Sequence, residues 1–209
     1  MLKNPKSELS HTRFVYFWII KVERKEKEMV NQLVERIRQK DQRAMSQLYQ
    51  LYVEELSSVC YRYVPSEDDA KDVLQNSFVK IFTSIPTFEY RGEGAFKAWM
   101  KQVVANEALS FLKNRKKLLF VEQDQTADEA DEESASPDTE RISPDELHQL
   151  ISELPDGYRM VLNLYVFENY SHRQIASQLG IKESTSASQL YYAKKLLAKR
   201  IKDLTKDKQ

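Results

Sequence analysis

From Val30 onward the large apolar residues of this chain recur at spacings of three and four, which is helical and not strand periodicity. Leu33, Val34 and Ile37 share one face of a short helix. Asp41 stands where it can cap the next helix, which carries Met45, Leu48, Tyr52, Leu56, Val59 and Tyr63 until Pro65 ends it. Ser66 with Asp69 three residues on has the spacing of a capping box. The helix it opens bears Ala70, Val73, Leu74, Ser77, Phe78, Ile81 and Phe82, and Pro86 stops it. A loop with two of the four glycines leads into a long helix from about Ala95 to Lys117, with Phe96, Trp99, Met100, Val103, Ala108 and Phe111 inward. Ser143-Pro144-Asp145-Glu146 combines a cap, a proline at the first helical position and a glutamate at the third. Leu147, Leu150, Ile151 and Leu154 give that helix its inner face, and Pro155-Asp156-Gly157 breaks it. Val161, Leu162 and Tyr165 serve the next one. No alternating strand pattern is visible, so the expected fold is all-α.

The stretch from Tyr170 to Leu204 has the most specific local grammar. Ser171 and Gln174 form a second capping box, and Tyr170 with Ile175 can close a hydrophobic staple across it. Ile175, Ala176 and Leu179 line one face, and Gly180 supplies the left-handed residue that ends a helix. Ile181 can fill the corner. A second helix begins near Ser184, with its apolar stripe at Leu190, Ala193, Leu197, Ile201 and Leu204. This is the pattern of a helix-turn-helix whose second helix enters the major groove. An ordinary αα-corner has the same skeleton. The polar face argues for DNA: Thr185, Ser188, Tyr192, Lys195 and Lys199 fall opposite the apolar stripe, hydrogen-bonding residues first and cations after.

The overall charge of zero conceals a segregation. Residues 29–121 hold 14 Lys+Arg against 11 Asp+Glu, residues 122–146 hold 1 against 11, and residues 147–209 hold 10 against 6. Two mildly basic helical domains, 29–121 and 147–209, are thus expected on either side of a flexible acidic linker, 122–146. That linker has too few large apolar residues to order itself. Basic parts on an acidic tether suit nucleic-acid binding; a connector that only adds solubility has the same composition. Residues 1–28 fit nothing downstream, and Met29 is the expected natural start. A disordered arm or a weak contact site is the alternative. The apolar run Phe14 to Ile20 is too short to span a bilayer and lacks the small residues of a signal-peptide cleavage site. No membrane insertion is expected, and the location expected is the cytoplasm. Cys60 is the sole cysteine and reads as buried filler, while His11, His148 and His172 are too scattered for a metal site.

No Gly-rich phosphate loop is present, nor a nucleophile with a plausible base, so no catalytic activity, cofactor or small-molecule substrate is expected. Glu67, Asp68, Asp69 and Asp72 are the best candidate for a magnesium site, but acidic residues in a first helical turn are what the helix dipole favours. The loop from Phe88 to Phe96 is more informative. Aromatic rings beside cations hold unstacked bases of a single strand, and here Phe88, Tyr90 and Phe96 surround Arg91. Phe96, next to Trp99, is expected to anchor the loop; Tyr90 and Arg91 are freer.

These residues also carry a family resemblance. The segments EDDAKDVLQNSFVKIF and RGEGAFKAWMKQVVANEALSFLKNRKK resemble region 2 of the extracytoplasmic-function sigma factors of the sigma-70 family. The segment ELPDGYRMVLNLYVFENYSHRQIASQLGIKESTSASQLYYAKKLLAKRI resembles their region 4. The resemblance implies a subunit that directs core RNA polymerase to promoters, with the β′ coiled coil and the β flap of the polymerase and promoter DNA as partners. An anti-sigma factor is a further expected partner. Carried over by position, Asp72, Gln75 and Asn76 would meet the polymerase, with Phe78 in the core. Tyr90, Arg91, Gly92, Lys97, Trp99, Lys101, Asn106 and Lys113 would hold the −10 element and a flipped base, Trp99 being partly structural. Thr185, Ser188, Gln189, Tyr192 and Lys195 would read the −35 element, with Arg173 and Lys182 on its backbone.

The chain departs from the family pattern at Ser110, where Asp is usual, at Ser186 for Val, at Ala187 for Lys or Arg, and at Tyr192 for Arg. A recognition helix that is polar where cations are common is the least transferable part of the resemblance. A stand-alone helix-turn-helix regulator is the competing reading, and it leaves the region 2 residues unexplained.

Overall fold

The computed structural model describes residues 28–115 and 142–206. The apolar run Phe14 to Ile20 and most of the acidic segment 122–146 lie outside them. Among the described residues there are helices and no strands. They are α1 (28–38), α2 (Gln42–Tyr63), α3 (Glu67–Ser84), a 3-10 turn (Ile85–Thr87), α4 (Glu93–Arg115), α5 (Pro144–Ser152), α6 (Asp156–Leu162) continued by a π-helical segment (Asn163–Phe167), α7 (His172–Leu179) and α8 (Glu183–Lys206). None is long and apolar enough to cross a membrane.

Packing gathers the described residues into two compact units, 28–54 with 78–101 and 55–77 with 102–115 and 142–206. In the first, α1 and the start of α2 meet the end of α3 and the start of α4. Leu33, Val34, Ile37, Leu48, Tyr52, Phe78, Ile81, Ile85, Phe96 and Met100 are buried there. Asp41 makes the expected cap: its Oδ1 accepts from the amides of Arg43 (2.8 Å) and Ala44 (3.2 Å), and its Oδ2 accepts from Arg36 Nε at 2.9 Å. The Arg36 guanidinium and then the Ala44 amide hold this carboxyl below its ordinary pKa.

The second unit packs the end of α2 and the second half of α4 with α5 to α8. Its core includes Leu56, Val59, Tyr63, Val73, Val104, Leu109, Met160, Leu164, Ile175, Leu190, Ala193 and Leu197. Cys60 is fully buried and donates to the Ala70 carbonyl at 3.4 Å, and burial pushes its thiol up to about 12. Both downstream capping boxes are present, Ser143 with Glu146 and Ser171 with Gln174.

Three expectations about faces are corrected. On α4 Phe96, Met100 and Ala108 are buried as expected, but Val103 and Phe111 are only half-buried and Val104, Ala105, Leu109 and Leu112 take the inner face with them. Apolar residues surround this helix on most sides, so spacing alone does not fix its rotation. Leu147 is exposed, because α5 turns Ile151 inward and leaves its first turn at the surface. Tyr165 is exposed as well: the π-helical segment inserts an extra residue per turn and rotates Tyr165, Val166 and Phe167 outward.

Candidate nucleic-acid interface

The loop ahead of α4 is built around an aromatic cluster in the first unit. Phe96 is fully buried and is flanked by Tyr52 (6.3 Å between centroids), Phe88 (5.4 Å), Tyr90 (5.9 Å) and Trp99 (5.6 Å). Phe88 also stacks on Trp99 at 4.4 Å, and the Phe88 carbonyl accepts from the Arg38 guanidinium of α1. Phe96 therefore anchors the loop, while Tyr90 and Trp99 stay half-buried. Burial, and then the Glu93 carboxylate, raise the Tyr90 phenol above its ordinary pKa. Gly92 has φ of 104°, a backbone state that L side chains avoid, and this turn sends the chain into α4.

Arg91 is exposed and pairs with Glu89 at 2.7 Å. An exposed pair of this kind is weak, and a phosphate can displace the glutamate at little cost. Lys97 pairs with Glu93 at 2.8 Å and lies 5.6 Å above the Tyr52 ring. Lys101 is half-buried one turn further along. Tyr90, Arg91, Gly92, Lys97, Trp99 and Lys101 thus lie on one loop and the first turns of α4.

Asn106 and Lys113 belong to the second unit and are exposed there. Both are engaged by α7. Asn106 Oδ1 accepts from Gln178 Nε2 at 3.2 Å, and Lys113 Nζ donates to the Gln178 carbonyl. Gln102 Nε2 also donates to Asn106 Oδ1 at 3.2 Å. Asp72, Gln75 and Asn76 are exposed on α3. Val79, three residues after Asn76 on the same helix, is 57% exposed. Sequence reasoning passed over this valine, although its spacing of three, four and seven from the polar residues was a readable signal.

In the helix-turn-helix, Gly180 takes φ of 71° and donates its N–H to the Ala176 carbonyl at 2.9 Å, so α7 ends where the sequence predicts. Arg173, Lys182, Ser188 and Lys195 are exposed, and Thr185 is half-buried with its carbonyl accepting from Ser188 Oγ at 3.0 Å. Tyr192 is half-buried and stacks on Tyr158 of α6 at 6.2 Å, so it has a packing role beside any contact to DNA. Gln189 departs from the expectation. It is 5% exposed, within the stripe that buries Ser186, Leu190, Ala193, Leu197 and Ile201, and it faces the core and not the groove. Ser186, fully buried, lies 3.0 Å from His172 Nδ1. Tyr165 stacks on that imidazole at 4.8 Å.

Among the described residues no group of three or more His, Cys, Asp or Glu is placed to hold a metal ion, the Glu67–Asp72 cluster included. The arrangement that remains is a loop of rings and cations and a separate polar helix face. Such surfaces suit splayed bases and duplex DNA respectively.

Two family models match the chain. Residues 48–118 match the family description "Sigma-70 region 2", and residues 145–197 match "Sigma-70, region 4". The RNA polymerase sigma-H factor of Pseudomonas aeruginosa is 28% identical over 191 residues, 86% of this chain and 97% of that one. The ECF RNA polymerase sigma-E factor of Escherichia coli (strain K12) is 29% identical over 184 residues, 82% of this chain and 94% of that one. A solved structure of the sigma factor RpoE in complex with the anti-sigma factor NepR, from Bartonella quintana, is matched over 74% of this chain and 94% of that one, at 19% identity and a TM-score of 0.44. With both regions matched in order across more than half of its length, the chain belongs to the sigma-70 family, as an RNA polymerase sigma factor of the extracytoplasmic-function kind.

Proposed function

We propose that this sigma factor divides promoter recognition between its two reading surfaces while the polymerase holds both. The exposed face of α3, Asp72, Gln75 and Asn76, docks on the β′ coiled coil, and the region 4 helices meet the β flap. Tyr90, Arg91, Gly92, Lys97, Trp99 and Lys101, with Asn106 and Lys113 further along α4, hold the non-template strand of the −10 element. Extruding a base costs a few kcal/mol, roughly what one or two stacking contacts return. Thr185, Ser188 and Lys195, with Arg173 and Lys182 on phosphates, contact the −35 element. The observation that carries this reading is the aromatic loop, in which Phe96 fixes the backbone and leaves Tyr90 and Arg91 toward solvent.

The chain itself performs no chemistry in this reading; bond formation belongs to the polymerase, and the work is done in the cytoplasm. The domain division at 29–121, 122–146 and 147–209 follows from the same assignment, with the acidic segment as a tether. An anti-sigma factor that covers these faces is a further partner.

Purified chain added to core polymerase on genomic promoter fragments tests the proposal. Specific run-off transcripts that core alone does not make are expected. Tight binding to duplex promoter DNA without core, and no initiation with it, would instead identify a stand-alone regulator.

A further inference from the structure

Arg38 is the last residue of α1, where a cation suits the helix dipole. Its Nη1 donates to the Glu35 carboxylate at 2.6 Å. Its Nη2 donates to the carbonyl of Phe88, 50 positions along the chain and within the same unit. The base of this arm is fixed. Arg36 donates to the Asp41 cap, and the amides of Lys40 (2.8 Å) and Asp41 (3.1 Å) donate back to the carbonyls of Ile37 and Arg36. The end of α1 is thereby closed against the start of α2. The far end of the arm meets the backbone of the aromatic loop. Phe88 follows the 3-10 turn in an extended conformation, with φ of −75° and ψ of 126°, and residues 88–92 are neither helix nor strand. Its N–H donates to the Ile85 carbonyl at 3.1 Å and its carbonyl accepts from Arg38, so the residue is held on both sides.

We propose that Arg38 is a positioning residue for the separated promoter strand: by holding the Phe88 carbonyl it sets the course of the Tyr90–Arg91 loop and the seat of Trp99, without itself touching DNA. The inference rests on the assignment of that loop to the −10 element. A peptide group is planar, so a fixed Phe88 carbonyl fixes the plane that leads into Glu89, Tyr90 and Arg91. It also holds the Phe88 ring, which stacks on Trp99 at 4.4 Å and lies 5.4 Å from Phe96. Rings that must receive an extruded base bind it more tightly when they are in place beforehand, because ordering them on binding subtracts from affinity.

Two features set this contact apart from a bond that only adds stability. Arg38 Nε is buried without a hydrogen-bond partner among the described residues, and an unbonded buried donor opposes folding. The pair with Glu35 contributes little in return, because that carboxylate is exposed. The guanidinium is thus placed for its bond to the loop and leaves another donor idle.

The test uses the chain assembled on core polymerase and a labelled single strand copied from the −10 region of a promoter that gives a run-off transcript. Arg38→Met keeps the aliphatic stem and removes the donors, while Arg38→Lys keeps the charge and a donor. Arg38→Met is expected to weaken strand binding about threefold or more, as the competent fraction of the loop falls, and Arg38→Lys to bind closer to wild type. The slope of log affinity against log salt should be unchanged in both, because Arg38 meets no phosphate. Arg91→Ala, by contrast, should lower its magnitude by about 0.7. In a Trp18→Phe background Trp99 is the sole tryptophan, and Arg38→Met should shift its emission. Wild-type strand affinity in Arg38→Met, a slope lowered by about 0.7, an Arg38→Lys chain no better than Arg38→Met, or unchanged Trp99 emission would overturn the proposal. An Arg38→Met chain that unfolds, or that loses core affinity in parallel, would make Arg38 a structural prop and overturn it as well. Failure of the wild-type chain to give any run-off transcript would instead overturn the promoter reading, and the Trp99 emission would still decide whether Arg38 sets the loop.

Discussion

His172 Nδ1 lies 3.0 Å from Ser186 Oγ, and this bond joins the first helix of the helix-turn-helix to the second. Ser186 has no exposed surface, so its hydroxyl depends on that imidazole. The pair gives a buried polar residue at this position a hydrogen-bonding partner. Removing the histidine strands a buried hydroxyl, whereas removing the hydroxyl leaves a half-buried ring that can still reach water. His172→Ala should therefore cost more, about 1–3 kcal/mol, against about 1 kcal/mol for Ser186→Ala. A double-mutant cycle from urea denaturation should give a coupling of roughly 0.5–1.5 kcal/mol. Additive effects would show that the two groups do not act together.

Gly92 and Gly94 offer a paired comparison, because a Cβ added at either meets nothing within 4 Å. Only the backbone differs. Gly92 holds φ of 104°, so Gly92→Ala should destabilise by about 1–3 kcal/mol through strain. Gly94 lies within the first turn of α4, and Gly94→Ala should stabilise by up to about 1 kcal/mol. Denaturant midpoints that move in the same direction for both variants would refute this account.

What was legible in the sequence was local. Asp41, the Ser143–Glu146 box, the Ser171–Gln174 box and Gly180 each act within three or four residues, so their roles follow from spacing. The aromatic loop was legible for the same reason, since Phe96 and Trp99 are near neighbours of Tyr90. The rotation of α4 was not, because its apolar residues leave no single face to choose. Gln189 was misplaced because a polar side chain in a buried stripe carries no sign of its burial. Arg159 and Asn163 serve carbonyls about a hundred positions upstream, and no periodicity encodes a partner at that distance.

Asp41 sets a pH dependence. Its folded pKa is lowered by Arg36 and by the amides it caps, so its stabilising contribution is present above the ordinary carboxylate range. That contribution is lost as the pH falls through the lowered value. Asp41→Asn keeps an oxygen for the cap but cannot titrate. Denaturation midpoints of wild type should fall more steeply than those of Asp41→Asn on going from about pH 5 to about pH 2, and parallel curves would exclude Asp41 as a source of the acid limb.

Cys60 gives a local measure of opening. Its thiol is fully buried, bonded to the Ala70 carbonyl and pushed up to about 12, so almost none of it is thiolate at neutral pH. A thiol reagent at about pH 8 should leave the native chain unmodified on the timescale on which the denatured chain reacts fully. Reaction that speeds up with denaturant below the main transition would place the α2–α3 seam among the first parts to open.

Tyr90 and Arg91 separate promoter opening from polymerase binding. Tyr90 packs on Phe96 at 5.9 Å between ring centroids, and Arg91 makes an exposed pair with Glu89. Neither contact reaches the exposed face of α3, so the double variant Tyr90→Ala/Arg91→Ala should keep its affinity for core polymerase. Loss of one stacked base is worth about 1–3 kcal/mol, which corresponds to a fall of roughly 5- to 150-fold in open complex. A fluorescent base at the −10 position reports opening, and anisotropy of labelled chain reports core binding. An equal loss in both would make the loop a structural strut. A loss confined to opening fixes Tyr90 and Arg91 as the groups that meet the separated strand, because the ring beneath them, Phe96, remains to hold the fold.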